Sequence, residues 1–154
     1  MKKTSLLRQF VRYTSLNILG MMGLSAYILA DTVFIARGLG ESGLAALNLA
    51  IPVYSLISAL GLMTGIGGAT RYTIAGIREG REAAGQVLYR SLILAGVLGG
   101  ILLVAGLTLA DPMSRLLGAT GEALEMTRTY LGILLGFAPF FLFNHTLLAY
   151  VRND

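Results

Sequence analysis

The stretch Ser91–Ala110, "SLILAGVLGGILLVAGLTLA", decides the fold class. It carries no charge, and it is as long as the roughly 20 apolar residues a helix needs to cross the hydrocarbon core of a bilayer. Three more segments read the same way. Tyr13–Ala30 is uncharged and continues past Asp31 to Ile35, Ser42–Thr70 is uncharged throughout, and so is Thr129–Val151. The first two exceed one bilayer thickness, which implies tilt or extension into the headgroups. The first is also too long for the apolar part of a cleaved signal peptide. The expectation is an all-α integral membrane protein with four transmembrane helices, at about residues 10–36, 44–75, 88–110 and 123–151 of one region, 1–154.

Composition agrees. The chain is 55% hydrophobic and 13% charged, with a mean hydropathy of +0.73, whereas a soluble domain carries about 25% charged residues. It has no cysteine, hence no disulfide and no thiolate metal site, and one histidine, His145, builds no metal site alone. His145 reads as an interfacial residue. A net charge of +4 could suit a nucleic acid, but the bases sit at the ends of apolar runs rather than on a polar face. The expected partner is the lipid bilayer, with no nucleic acid.

The bases also set an orientation. Lys2, Lys3, Arg8 and Arg12 precede the first span, and Arg71, Arg78, Arg81 and Arg90 surround the loop between the second and third. Arg152 falls on that same side; the other side has Arg37, Arg115 and Arg128. This asymmetry puts the N-terminus in the cytoplasm. Between the spans, "RGLGESG", Arg37–Gly43, reads as a glycine-rich turn. "GIREGREAAGQVLYR", Gly76–Arg90, reads as a charged loop with a short interfacial helix from about Glu82. Pro112 is expected to end the third span, because it disfavours a helical Asp111. The next break is expected at Gly118–Gly121, with Thr120 as helix cap and Glu122 and Glu125 in the following first turn.

Three G-x-x-x-G pairs, Gly61/Gly65, Gly96/Gly100 and Gly132/Gly136, suggest close helix approaches. Pro52 and Pro139 interrupt two spans and are read as bending points.

The polar residues inside the spans are few. Asp31 has Tyr27, Ile28, Phe34 and Ile35 as helical neighbours, so no base neutralises it one turn away. Arg37 is six positions on, about 9 Å along the axis and off the face. An ionised aspartate near a span centre costs about 2.5–3.5 kcal/mol on insertion scales. Asp31 is thus a shallow or structural hydrogen-bonding residue, a distant counter-charge to Arg37, or a proton- or cation-binding carboxylate facing water. Burial favours a neutral carboxyl and a nearby cation favours a charged one, so a group under both influences can exchange one cation for another. Tyr27 lies one turn before Asp31, where its ring can stack on a cationic ligand or fill a helix contact. Asn17, Asn48 and Asn144 are either cavity-lining residues or interhelical hydrogen-bonding ones. The methionines Met21, Met22 and Met63 read as packing residues. No Ser–His pair, Glu-x-x-His motif or second intramembrane acid suggests an enzyme.

At this point the sequence resembles a family. "ADTVFIARGLGESGLAALNLAIPVYSLISALGLMTGIGGATRYTIAGIREGR", Ala30–Arg81, resembles the first two helices of the MATE multidrug and toxin extrusion transporters. "LLGATGEALEMTRTYLGILLGFAPFFLFNHTLLAYVRND", Leu116–Asp154, resembles their third external loop and fourth helix. The likeness runs from Leu6 to Asp154 and is nearest the bacterial DinF-like and MepA-like branches.

The resemblance implies the first part of a twelve-helix, two-lobe antiporter in a bacterial cytoplasmic membrane. Such a protein exchanges protons or sodium for cationic amphipathic drugs and needs no cofactor beyond the coupling ion. Asp31 matches the first-helix coupling carboxylate, which would also be the sodium ligand. Tyr27 matches a drug-contacting tyrosine, and Asn144 more weakly matches cavity-lining polar residues. Some members bend the first helix at a proline; none lies between Met1 and Asp31 here, and Gly20 and Gly23 would supply the bend. The chain stops after four helices at "RND", so it is expected to be a truncated chain or partial gene that lacks its C-terminal helices as partners. Two alternatives stay open. One is a lipid-linked saccharide flippase of the same superfamily, whose cavity would carry internal bases; the other is a small four-helix membrane scaffold.

Overall fold

The computed structural model describes residues 3–153. Lys2, one of the bases used for orientation, and Asp154, which closes "RND", lie outside the described residues. Every described element is an α-helix: α1 Lys3–Arg78, α2 Arg81–Leu116, α3 Glu122–Gly136 and α4 Ala138–Asn153. Phe10–Arg78 and Arg81–Leu116 are each long and apolar enough to cross a membrane. Glu122–Gly136 and Ala138–Arg152 reach that length and apolarity only together, as a pair bent by 48°.

The 69 residues of Phe10–Arg78 would reach about 100 Å as one straight helix, far more than the ~30 Å hydrocarbon core. Gly40 divides them. Its φ of 64° and ψ of −151° leave the helical region and require a residue without a Cβ. That break falls between the first two apolar segments read from the sequence. The expected seven-residue turn at Arg37–Gly43 shrinks to this one non-helical residue, with helix on both sides.

Two other expected boundaries are corrected. No separate interfacial helix forms from Glu82. The chain breaks at Gly80, whose φ is 96°, and α2 then runs without interruption from Arg81 into the apolar stretch. "REAAGQVLYR" consists largely of good helix formers, and nothing between Arg90 and Ser91 stops propagation. Nor does Pro112 end the third span, because α2 continues through it to Leu116. Proline removes one donor, and the turn around it is tied by other bonds. Ser114 donates to the Ala110 carbonyl at 2.7 Å, and Arg115 Nε pairs with the Asp111 carboxylate at 2.9 Å.

The break after α2 falls where expected, with positive φ at Gly118 and Gly121. Thr120 does not cap α3. Gly121 holds the N-cap position with no side-chain bond, while Glu122 and Glu125 occupy the first turn, where carboxylates suit the positive end of the helix. The fourth expected span is divided between α3 and α4 at Phe137. Pro139 lacks the N–H that would bond the Leu135 carbonyl, so the helical ladder loses one bond beside this break.

The chain forms two units, Met1–Leu44 and Ala45–Asp154. In the first, a single helix exposes apolar side chains all round, including Phe10, Leu19, Met22, Leu24 and Leu29. A helix apolar on every face belongs in lipid or against other helices. In the second unit Ala50, Val53, Ile57, Ala95, Leu131, Leu135 and Leu142 form a buried cluster. Lipid tails are as apolar as leucine, so close packing and hydrogen bonds hold such helices together.

Glycine makes the approach possible. A Cβ on Gly61 would meet His145 Cβ at 2.8 Å, and one on Gly65 would meet the Ala149 Cβ and the His145 carbonyl, both at 2.9 Å. The first G-x-x-x-G pair therefore seats α4. The other two pairs do not make the expected approaches: a Cβ on Gly100, Gly132 or Gly136 would meet nothing within 4 Å, and one on Gly96 would make only ordinary contact. Gly99 and Gly106 take that part on α2, facing Pro139 and Leu135. Seven positions is two helical turns, so they share a stripe that four-residue spacing does not reveal.

Candidate functional site

The expected site residues divide between the two units. Asn17, Gly20, Gly23, Tyr27 and Asp31 belong to the first, and Asn48, Pro52, Pro139 and Asn144 to the second. Asp31 is exposed on α1, in unbroken helix. No hydrogen bond or ion pair joins it to another described residue. Its neighbour Thr32 commits its hydroxyl to the Ile28 carbonyl at 2.8 Å. Tyr27 is 67% exposed one turn earlier, on the same face of the helix. The Asn17 amide donates to the Tyr13 carbonyl at 3.0 Å. A cleft of about 310 Å³ on this unit is lined by Ser25, Ile28, Leu29, Thr32 and Val33, without Asp31 or Tyr27.

In the second unit Asn48 and Asn144 are exposed, and neither hydrogen-bonds to another described residue. Pro52 lies within helical backbone and, like Gly20 and Gly23, shows no departure from it; Gly40 is where α1 departs. Pro139 does accompany a bend. His145 is half-buried with its ring over Gly61, as a packing residue. Among the described residues no group of three or more His, Cys, Asp or Glu side chains is arranged to hold a metal ion.

The polar contacts that the structure does assemble were not singled out in the sequence. Thr64 and Thr146 hydroxyls lie 3.1 Å apart between α1 and α4, both buried. The Tyr150 hydroxyl donates to Ser91 Oγ at 2.8 Å between α4 and α2, and Ser91 donates on to the Val87 carbonyl at 3.0 Å. The available signal was position: Thr64 adjoins Gly65, and Gly68 leaves the space that the Ser91 and Tyr150 hydroxyls fill. Hydroxyls beside such glycines reach across to a neighbouring helix.

The MatE family model matches residues 17–154. The chain belongs to the MatE family. The MatE chain is 32% identical over 116 residues to a protein named FAD transporter from Shewanella oneidensis, covering 75% of this chain and 25% of that protein. It is 26% identical over 155 residues to the multidrug export protein MepA of Staphylococcus saprophyticus, covering 99% of this chain and 34% of that one. The MepA protein of Staphylococcus aureus strain MRSA252 is 29% identical over 99 residues, covering 63% and 22%. The MatE chain thus spans between a quarter and a third of the first two relatives. No solved structure matches it.

Proposed function

We propose that this chain is the N-terminal part of a cation-coupled antiporter that exports cationic amphipathic drugs across a bacterial cytoplasmic membrane. The observation that carries the reading is Asp31, an exposed carboxylate with no partner among the described residues, on an otherwise apolar helix. Intramembrane acids kept at that energetic cost serve ion or proton pathways. Binding of a proton or sodium by Asp31 favours one of two transporter conformations, and drug binding favours the other; differential affinity is what couples the two. Tyr27 supplies a ring face for a flat cation beside the carboxylate. Asn17, Asn48 and Asn144 are proposed as further substrate-binding residues, with bending at Gly20, Gly23, Pro52 and Pro139.

The test is ethidium efflux from energised cells carrying the complete transporter. Asp31→Asn keeps the side chain's shape but removes its carboxylate, so membrane expression is expected to stay near normal while efflux collapses. Wild-type efflux from a well-expressed Asp31→Asn variant overturns the reading. The relative named FAD transporter supports a second reading, a dinucleotide substrate. Competition of FAD against ethidium in the same assay separates the two.

A further inference from the structure

A cluster of charge lies outside everything assigned above. A cavity of about 560 Å³ in the second unit is lined by Arg71, Arg78 and Arg90, with Glu79, Thr70 and Gln86 among its other polar residues. Three arginines against one glutamate leave it cationic, and no ion pair joins any of the three to a described carboxylate. Two of them stand at a defined depth. Arg71 directly follows the uncharged run Ser42–Thr70, and Arg90 directly precedes Ser91–Ala110. Bases at that position face the headgroup layer. A second cavity of about 340 Å³ shares Arg71, Arg90, Gly67 and Val87 with the first and continues between Met63 and Leu94. A cationic cavity and one lined mainly by apolar side chains thus meet at these shared residues, and an added Cβ on Gly67 would meet nothing within 4 Å.

We infer that this double cavity binds an anionic phospholipid, with the phosphate-bearing headgroup among Arg71, Arg78 and Arg90 and an acyl chain along Met63 and Leu94. The shared chemistry is a phosphate oxyanion, for which arginine offers a fixed fork of donors. Free inorganic phosphate would use the first chamber alone. The apolar continuation is what favours a lipid.

The test uses the complete transporter in bilayer discs. Native mass spectrometry counts retained phosphatidylglycerol against phosphatidylcholine, and millimolar inorganic phosphate is the competitor. The wild-type chain is expected to retain phosphatidylglycerol selectively and to keep it against phosphate. The double variant Arg71→Gln/Arg90→Gln is expected to bind it about 30-fold more weakly, the loss set by two near-surface bases. Gly67→Leu preserves every charge but adds bulk where the two cavities meet, and is expected to lose the lipid as well. Arg115→Gln, at the far end of α2, is expected to retain it. Helicity by circular dichroism confirms that the variants fold; Gly67→Leu replaces glycine by a better helix former. Equal retention of both lipids, or wild-type retention in both cavity variants, overturns the inference. Displacement by inorganic phosphate also overturns it, by assigning the site to a free oxyanion.

Discussion

Gly61 and Gly65 are glycines for a steric reason, since any side chain there meets the backbone or Cβ atoms of α4. Gly132 has the same spacing signature but would meet nothing within 4 Å. Gly65→Leu is therefore expected to lower stability by about 1–3 kcal/mol, as overpacking does in a close contact. Gly132→Leu is expected to change it little. Thermal unfolding in detergent compares them, and equal losses would contradict the assigned contact. The contrast marks the limit of reading residues from sequence. Spacing identifies a small-residue face, but the partner decides whether that face is used. Gly99 and Gly106 are used because Pro139 and Leu135 lie opposite, a long-range fact that no local pattern encodes.

Three helices contain or begin near a proline, with different results. Pro52 and Pro112 sit inside continuous helices, while α3 gives way to α4 two residues before Pro139. Each proline frees one carbonyl, and at Pro139 a neighbouring helix also packs closely, with Gly99 against its Cα. Apolar runs made the elements legible, because a run without charge has one stable form in lipid. The ends were less legible. Whether a helix stops at Pro112 or Gly80 depends on side-chain ties such as Ser114 to Ala110 and on glycine conformations. Pro139→Ala is expected to restore the missing backbone bond and relax the 48° bend. Spin labels at Thr129 and Leu148 would then move apart, and an unchanged distance would show that packing alone sets the bend.

At the scale of the molecule, we propose from the base asymmetry that the α1–α2 break faces the cytoplasm. Cysteines introduced as Glu41→Cys and Thr120→Cys, both exposed positions, are expected to react with an impermeant thiol reagent from outside intact cells, and Glu82→Cys is not. Labelling at Glu82→Cys from outside would reverse the orientation. The candidate site was legible only as residue types, because Asn17, Tyr27 and Asp31 belong to one unit and Asn48 and Asn144 to the other. The 154-residue chain alone is accordingly expected to confer no drug resistance; Asp31-dependent efflux by it alone would contradict that. The most direct measurement of the coupling role is made without any gradient, on the purified complete transporter. Ethidium is added to lightly buffered protein, and proton release and sodium displacement are recorded together. The account predicts release of one of these cations by the wild-type protein, none by Asp31→Asn, and partial release by Asp31→Glu. Undiminished release from a folded Asp31→Asn protein that still binds ethidium would contradict it.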